Sequence, residues 1–342
     1  MLKPLSEKTL KRKYEELGLS VEKTDLLHDY FLCFSNLYGV ITVDEAWSIF
    51  RNYEGLGYIK KKEFYAFSGI AQREVQPYKI VEIREVYSEE EKTPGDRMII
   101  NSFLLLSGYY KFRAVWDLEN EIGDKPFYIP EKKSEFFKFR EDTFWGNKFG
   151  KELRELIENL KTTGMRTVLK DGSKAPITDL DGNEVKGKKL KDFRFYTNTE
   201  QLEINYEKRP GTKQRLIESF NQTASEKILY YIKRFIMAGS FSSSPGGDIQ
   251  FITRELCEET GAELTKKQLN DLINLYMNLS NSSNRWINCG WTPVDLHSYM
   301  GGGLPEAMSF GPEIRKMVAE GSLDKNKINS FLESKGITPI WD

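Results

Sequence analysis

The chain is poor in the residues that most often carry chemistry. It has two histidines, His28 and His297, in 342 residues. That is too few for a multi-histidine metal site, and they are hard to build into a His-based triad. Its three cysteines, Cys33, Cys257 and Cys289, are odd in number and far apart. No disulfide framework or CxxC pair can be read from them, and three reduced thiols are expected. No phosphate loop, nucleophile elbow, zinc-protease helix or dinucleotide fingerprint occurs, so no cofactor and no metal is expected. No apolar run approaches the roughly 20 residues of a membrane span, and the opening stretch MLKPLSEKTLKRKYEELG lacks the apolar centre of a signal peptide. Neither sign of charge dominates, since 50 Lys+Arg meet 51 Asp+Glu. Net charge therefore selects neither nucleic acid nor an acidic membrane. The expectation is a cytoplasmic chain with no membrane partner.

What the chain does have is aromatic bulk: 21 Phe, 17 Tyr and 6 Trp, enough for sizeable cores. Over residues 1–75 the spacing predicts four short helices. Ser6 and Ser20 are placed to cap the first two, and Thr42-Val43-Asp44-Glu45 reads as a capping box. Residues 76–164 change character: Tyr78 to Ile83 alternates like a strand, and Met98 to Leu106 is an apolar run of ambiguous type. Residues 165–211 read as a β-hairpin insertion or linker, with Asp171-Gly172 and Asp181-Gly182 as turns. Residues 212–342 return to helix. Thr212 is read as the cap of a long helix closed by Gly239, Ser240 to Gly247 as a loop, and Thr265 to Gln268 as another capping box. Two weaker helices are expected near 312–320 and 325–335. The fold class expected is α+β and mainly helical: an N-terminal helical bundle, a mixed middle segment with a β-hairpin, and a C-terminal helical domain. A helix–loop–helix pattern at Trp47 to Phe67 is echoed at Ile252 to Leu272, through common helix signals.

Catalytic residues cannot be singled out. His28 lies in an otherwise apolar helix and reads as structural. Asp179, Asp181 and Glu184 around Gly182 have the flavour of a calcium loop but lack its full spacing, and a surface turn fits better. Ser244 to Gly247 and Gly301 to Gly303 read as ordinary loops. The region 186–215 is locally basic. Lys188, Lys189, Lys191 and Arg194 stand beside Phe195, a pattern that can neutralise phosphates and stack on bases, or equally form a solvated hairpin with inward aromatics.

The densest motif runs from Leu279 to Leu296, LSNSSNRWINCGWTPVDL. Read functionally, Asn281, Arg285, Trp286, Asn288 and Trp291 make a small interaction surface. Read structurally, the stretch is a helix–turn–helix lock whose indole N–H groups need partners, with Asn281 or Asn288 as candidate acceptors. It resembles a motif of uncharacterised proteins of Firmicutes bacteria, N-x-T-R-x-W-x-N-x-G-x-T-P-x-E-L. Asn281, Trp286, Asn288, Gly290, Thr292, Pro293 and Leu296 match; Ser283 stands for the Thr and Asp295 for the Glu. The family Arg falls at Asn284, with Arg285 displaced by one. Leu37 to Ile41 is similar in style, and the likeness covers about a third of the chain. Some of those relatives end in a Cys-rich SEC-C zinc motif, which this chain lacks, so zinc does not carry over. The function expected is a non-enzymatic protein-interaction or regulatory module with a protein partner. The alternatives are a nucleic-acid-binding protein using the basic hairpin and an enzyme with an unrecognised carboxylate site.

Overall fold

The computed structural model describes residues 3–55, 57–87, 97–105, 112–167, 173–194, 222–239, 245–301, 307–321, 323–334 and 336–341. They form two compact units, 1–293 and 294–342. The fold is α+β and mainly helical, with N-terminal helices, a middle hairpin region and C-terminal helices.

The first unit opens with α1 (Glu7–Glu16), α2 (Val21–Tyr38), α3 (Val43–Glu54) and α4 (Lys61–Ala71). Ser6 and Ser20 cap α1 and α2 by accepting from Thr9 N and Lys23 N, and Thr42 and Glu45 close a reciprocal box on α3. Each of these caps satisfies backbone N–H groups that a helix start leaves without a partner. Aromatic rings of these helices, among them Tyr30, Phe31, Phe34, Phe50, Phe64 and Phe67, fill the core between them. The bundle does not close on its own residues. Phe136 and Phe139, about seventy residues after α4, complete the same core from α5 (Lys133–Phe136) and the 3-10 turn that follows it.

Between α2 and α3 lies β1 (Val40–Thr42). It pairs antiparallel with β3 (Arg97–Asn101), which also pairs antiparallel with β2 (Tyr78–Glu82), giving the order β1-β3-β2. This small sheet is a wall between two cores. Ile41, Ile80 and Ile99 face the N-terminal aromatic core, while Val40, Val81, Met98 and Ile100 face a second core. Successive strand residues point to opposite faces, so a strand buried on both faces needs an unbroken apolar run. That is why Met98 to Ile100 carries no alternation. From Ser102 to Leu105 the run becomes a 3-10 turn.

The second core is built from α6 (Arg113–Ile122), α7 (Lys148–Asn159), α8 (Ala224–Ala238), α9 (Pro245–Arg254) and α10 (Lys266–Ser282). The middle segment belongs to it. β4 (Met165–Thr167) and β5 (Lys174–Pro176) pair antiparallel, and Thr178 bridges Glu184 around Gly182. Ile177, Val185, Leu190 and Phe193 are buried in this core.

Two helix boundaries correct the sequence reading. The cap of α8 is Thr223, boxed with Glu226, where Thr212 was expected; Thr212 itself lies outside the described residues. Pro245 to Gly247, expected in a loop, form the first turn of α9, as suits a proline that needs no N–H partner at a helix start. Beyond Arg254 that helix widens into a π-turn, Glu255–Glu259.

The second unit holds most of α11 (Pro293–Tyr299), then β6 (Ala307–Ser309), α12 (Pro312–Ala319), α13 (Lys325–Glu333) and β7 (Thr338–Ile340). β6 and β7 pair in parallel, which the sequence reading did not anticipate. Among its described residues the buried apolar ones are few: Leu296, Leu332 and Ile337.

Candidate functional site

The stretch after α10 is a knot of backbone turns. Ser283 bonds back to Leu279 O at 2.7 Å, and Asn284 Nδ2 donates to Gly290 O at 2.6 Å. Cys289 adopts a left-handed φ of 51°, and Gly290 follows at 85°. Out of this knot Trp286 projects into the core, where it is 1% exposed. Its indole Nε1 donates to Asn36 O at 2.8 Å. Trp291 donates to Pro126 O at 2.9 Å, and Cys289 O accepts from Tyr128 N at 2.9 Å. The acceptors of both indoles are therefore backbone carbonyls far away in sequence, not Asn281 or Asn288.

The fit is close. A Cβ on Gly39 would stand 2.6 Å from the Trp286 ring, and one on Gly290 would stand 2.9 Å from Leu37. A side chain at either position would have to displace core atoms. Residues 37–39 and the turn at 286–290 are thus pressed against each other.

Around Trp286 the polar groups are paired in kind. Lys233, 9% exposed, holds its ammonium over the rings of Phe103, Phe144 and Trp286 and is ion-paired with Asp142. Arg285 Nε donates to Ile236 O at 2.7 Å. Burial favours the neutral form of its guanidinium, while Tyr276 and Asp248 oppose that shift. Tyr276 donates to Asp248 at 2.9 Å, and its hydroxyl is held far above the ordinary phenol range by burial and by that carboxylate. Cys289 is pushed up to about 11, first by burial. A buried thiol that keeps its proton is a poor nucleophile.

Of the five residues proposed as an interaction surface, Trp286 and Asn288 are buried, Arg285 and Trp291 are partly so, and Asn281 alone is exposed. The structure brings Arg285, Trp286, Asn288 and Trp291 together as a clasp joining α2, α8 and the 124–130 loop. Asn281 stands apart on the last turn of α10.

The basic hairpin divides differently. Lys188 is ion-paired with Asp179 at 3.2 Å, and Lys189 donates to Asn159 at 2.8 Å. Backbone bonds from Asn183 and Asp181 and the pairing with Lys188 hold the Asp179 carboxyl below its usual range. The acidic turn at 179–184 thus binds its own hairpin. Lys191 and Arg194 are exposed, whereas Phe193 is buried at 4%. Phe195 lies outside the described residues, as do Lys208, Arg209, Lys213 and Arg215.

Among the described residues, two surface pockets lie elsewhere. One, about 460 Å³, is floored by His28, Glu74 and Tyr14. There His28 Nδ1 meets Tyr78 Oη at 2.6 Å and Nε2 meets Glu74 at 3.1 Å, so both ring nitrogens are engaged. Burial would raise the Glu74 carboxyl, but the bonds and charge of His28, with Tyr14 and Gln76, hold it below its usual range. This is a satisfied structural histidine. The other pocket, about 520 Å³, lies between α7 and α10. A lone carboxylate stands out elsewhere: Glu119 on α6 buries Oε2 without a partner, and burial, with Glu45, pushes its carboxyl up to about 7. Helix-period patterning placed it on α6 but said nothing of its isolation. Among the described residues no group of His, Cys, Asp or Glu could hold a metal ion, and no helix is long and apolar enough to cross a membrane.

The fold and the clasp define a mainly helical α+β protein with a buried tryptophan turn and a small, thinly cored C-terminal unit. No family model, no curated protein and no solved structure matches the chain.

Proposed function

We propose that this chain is a non-enzymatic, cytoplasmic protein-interaction or regulatory module whose docking surface is the C-terminal unit. The observation that carries this is an inversion of burial. Among the described residues of 294–342, eight large apolar side chains are exposed, including Val294 (62%), Tyr299 (62%), Met300 (66%) and Phe331 (63%), against three that are buried. Large exposed apolar side chains in such number favour an interaction surface, and methionines such as Met300, Met308 and Met317 let a surface adapt to its partner. Kinship with the Firmicutes proteins that share the tryptophan motif belongs to the same proposal. It is supported by the contact between the two stretches that carry the likeness.

The test is affinity capture with the full chain from a native-type extract, with and without nuclease, followed by mass spectrometry. A protein partner that survives nuclease and is lost with Tyr299→Ser and Phe331→Ser is the expected result. Capture that depends on nucleic acid, weakens steeply with salt and is lost with Lys188→Glu, Lys189→Glu and Arg194→Glu would overturn it. That outcome would favour the nucleic-acid reading, which the exposure of Lys191 and Arg194 keeps alive.

A further inference from the structure

The groove between α7 and α10 lies in the first unit and is separate from the apolar surface just proposed. The two helices run antiparallel. At one end Gly150 packs beside Leu279, with room for ordinary van der Waals contact at 3.5 Å, and Asn147 donates to Ser282 at 2.9 Å. Further along, from Glu152 to Asn159 and from Gln268 to Leu275, the facing surfaces open into the groove of about 520 Å³. At 1.5 Å per residue this stretch is about 10 Å long, or two helical turns of an occupant. Leu156 and Leu275 supply its apolar lining, and both are only partly buried.

The charged residues of the lining are acidic, Glu152, Glu155 and Asp271, with the Lys189 ammonium bonded to Asn159 at one end. Among the described residues Glu155 and Asp271 have no ion-pair partner. Glu152 has only the distant, exposed Lys148 at 4.0 Å, a geometry that contributes little. The carboxylates do not converge, since no described group of acids could hold a metal ion. Their complement is therefore positive charge spread over a length, with apolar side chains between. A compact ion does not have that shape; a basic amphipathic peptide segment does.

We infer that this groove docks a short segment of a partner protein in which Lys or Arg residues flank apolar side chains. Leu156 and Leu275 receive the apolar anchors, and Glu155 and Asp271 receive the cations. The inference does not rest on the C-terminal surface.

The experiment uses the full chain and a fluorescent synthetic peptide with Lys and Arg at helical spacing around a Leu-Leu pair. A twin carrying Glu in place of each basic residue serves as the second probe. Fluorescence anisotropy at low and moderate salt reads the affinity. The basic peptide is expected to bind, and its Glu twin is not. Binding weakens about tenfold or more in the double variant Glu155→Lys, Asp271→Lys, because each reversal turns an attraction into a repulsion. It also weakens in Leu275→Gln and is unchanged in Phe331→Ser. Glu155 is exposed and Asp271 is half-buried with no ion pair to lose, so the double variant is expected to keep the wild-type circular dichroism and melting. A control reversal of two other exposed acids, Glu15→Lys and Glu16→Lys, leaves binding intact. No binding of the basic peptide, or equal weakening by control and groove variants, would overturn the inference and leave the C-terminal surface untouched.

Discussion

Two stretches separated by only a few residues treat their apolar side chains in opposite ways. At 284–291 the chain buries Trp286 almost completely and gives both indoles a carbonyl. From 294 to 300 it leaves Val294, Tyr299 and Met300 more than 60% exposed. Both stretches are rich in large side chains, so composition does not separate them. The difference is how many elements stand within reach. Trp286 sits against α2, which supplies the Asn36 carbonyl, and beneath Lys233 of α8, while its neighbours Cys289 and Trp291 bind the 124–130 loop. Among its described residues the C-terminal unit has three short helices and two three-residue strands, and so small a unit buries a smaller share of its surface. In the clasp, apolar bulk is buried and stabilises the fold; in the C-terminal unit much of it remains exposed.

That contrast is broken most severely at Trp286. Trp286→Ala removes a buried indole and leaves Asn36 O and the Lys233 ammonium without their present cover. We expect a loss of about 3–5 kcal/mol in chemical denaturation, and a wild-type midpoint would show that the turn is not the clasp described. Gly39→Ala presses the same contact from the other side. It puts a methyl group 2.6 Å from the ring at a φ of 74°, and overpacking of this kind costs about 1–3 kcal/mol. A Gly39→Ala melting curve superimposable on wild type would refute the close fit.

Glu119 gives a smaller effect that depends on pH. Its carboxyl moves from an ordinary 4.5 to about 7 in the folded chain, so the folded state holds its proton more tightly than the unfolded state does. Ionisation then opposes folding: the penalty is absent below pH 4.5, grows as pH rises toward 7, and is complete above it. Glu119→Gln should therefore be more stable than wild type at pH 8 and equal to it at pH 4. The group is partly open to solvent, which reduces the gain. Equal stabilities at both pH values, by urea titration, would count against the isolation of this carboxylate. The smallest change in stability is expected at Phe331→Ser, within about 0.5 kcal/mol, together with loss of the captured partner. A large destabilisation there would mean that Phe331 is part of a core.

Much of the fold was legible one helix at a time. Ser6, Ser20, the Thr42–Glu45 box and the Thr265–Gln268 box all cap as their spacing implies, because a cap satisfies N–H groups within three residues of itself. The start of α8 was misplaced at Thr212, although Thr223 has the fuller local signal: a Glu three residues on closes a capping box, where Thr212 has Arg215. The candidate site was legible as a motif and not as a role. The residues of LSNSSNRWINCGWTPVDL drew notice by density, yet Trp286 binds Asn36, 250 positions away.

The sequence alone determined the periodicities, the caps and turns, and the scarcity of histidine and cysteine. These depend on residues close together along the chain. Only the tertiary structure decided that Met98 to Ile100 is a strand walled between two cores, that Phe136 completes the N-terminal bundle, that Glu119 stands without a partner, and which tryptophan is buried. Each of these depends on surfaces brought together across long separations, where burial and hydrogen bonding are set by the neighbour that arrives and not by the residue itself.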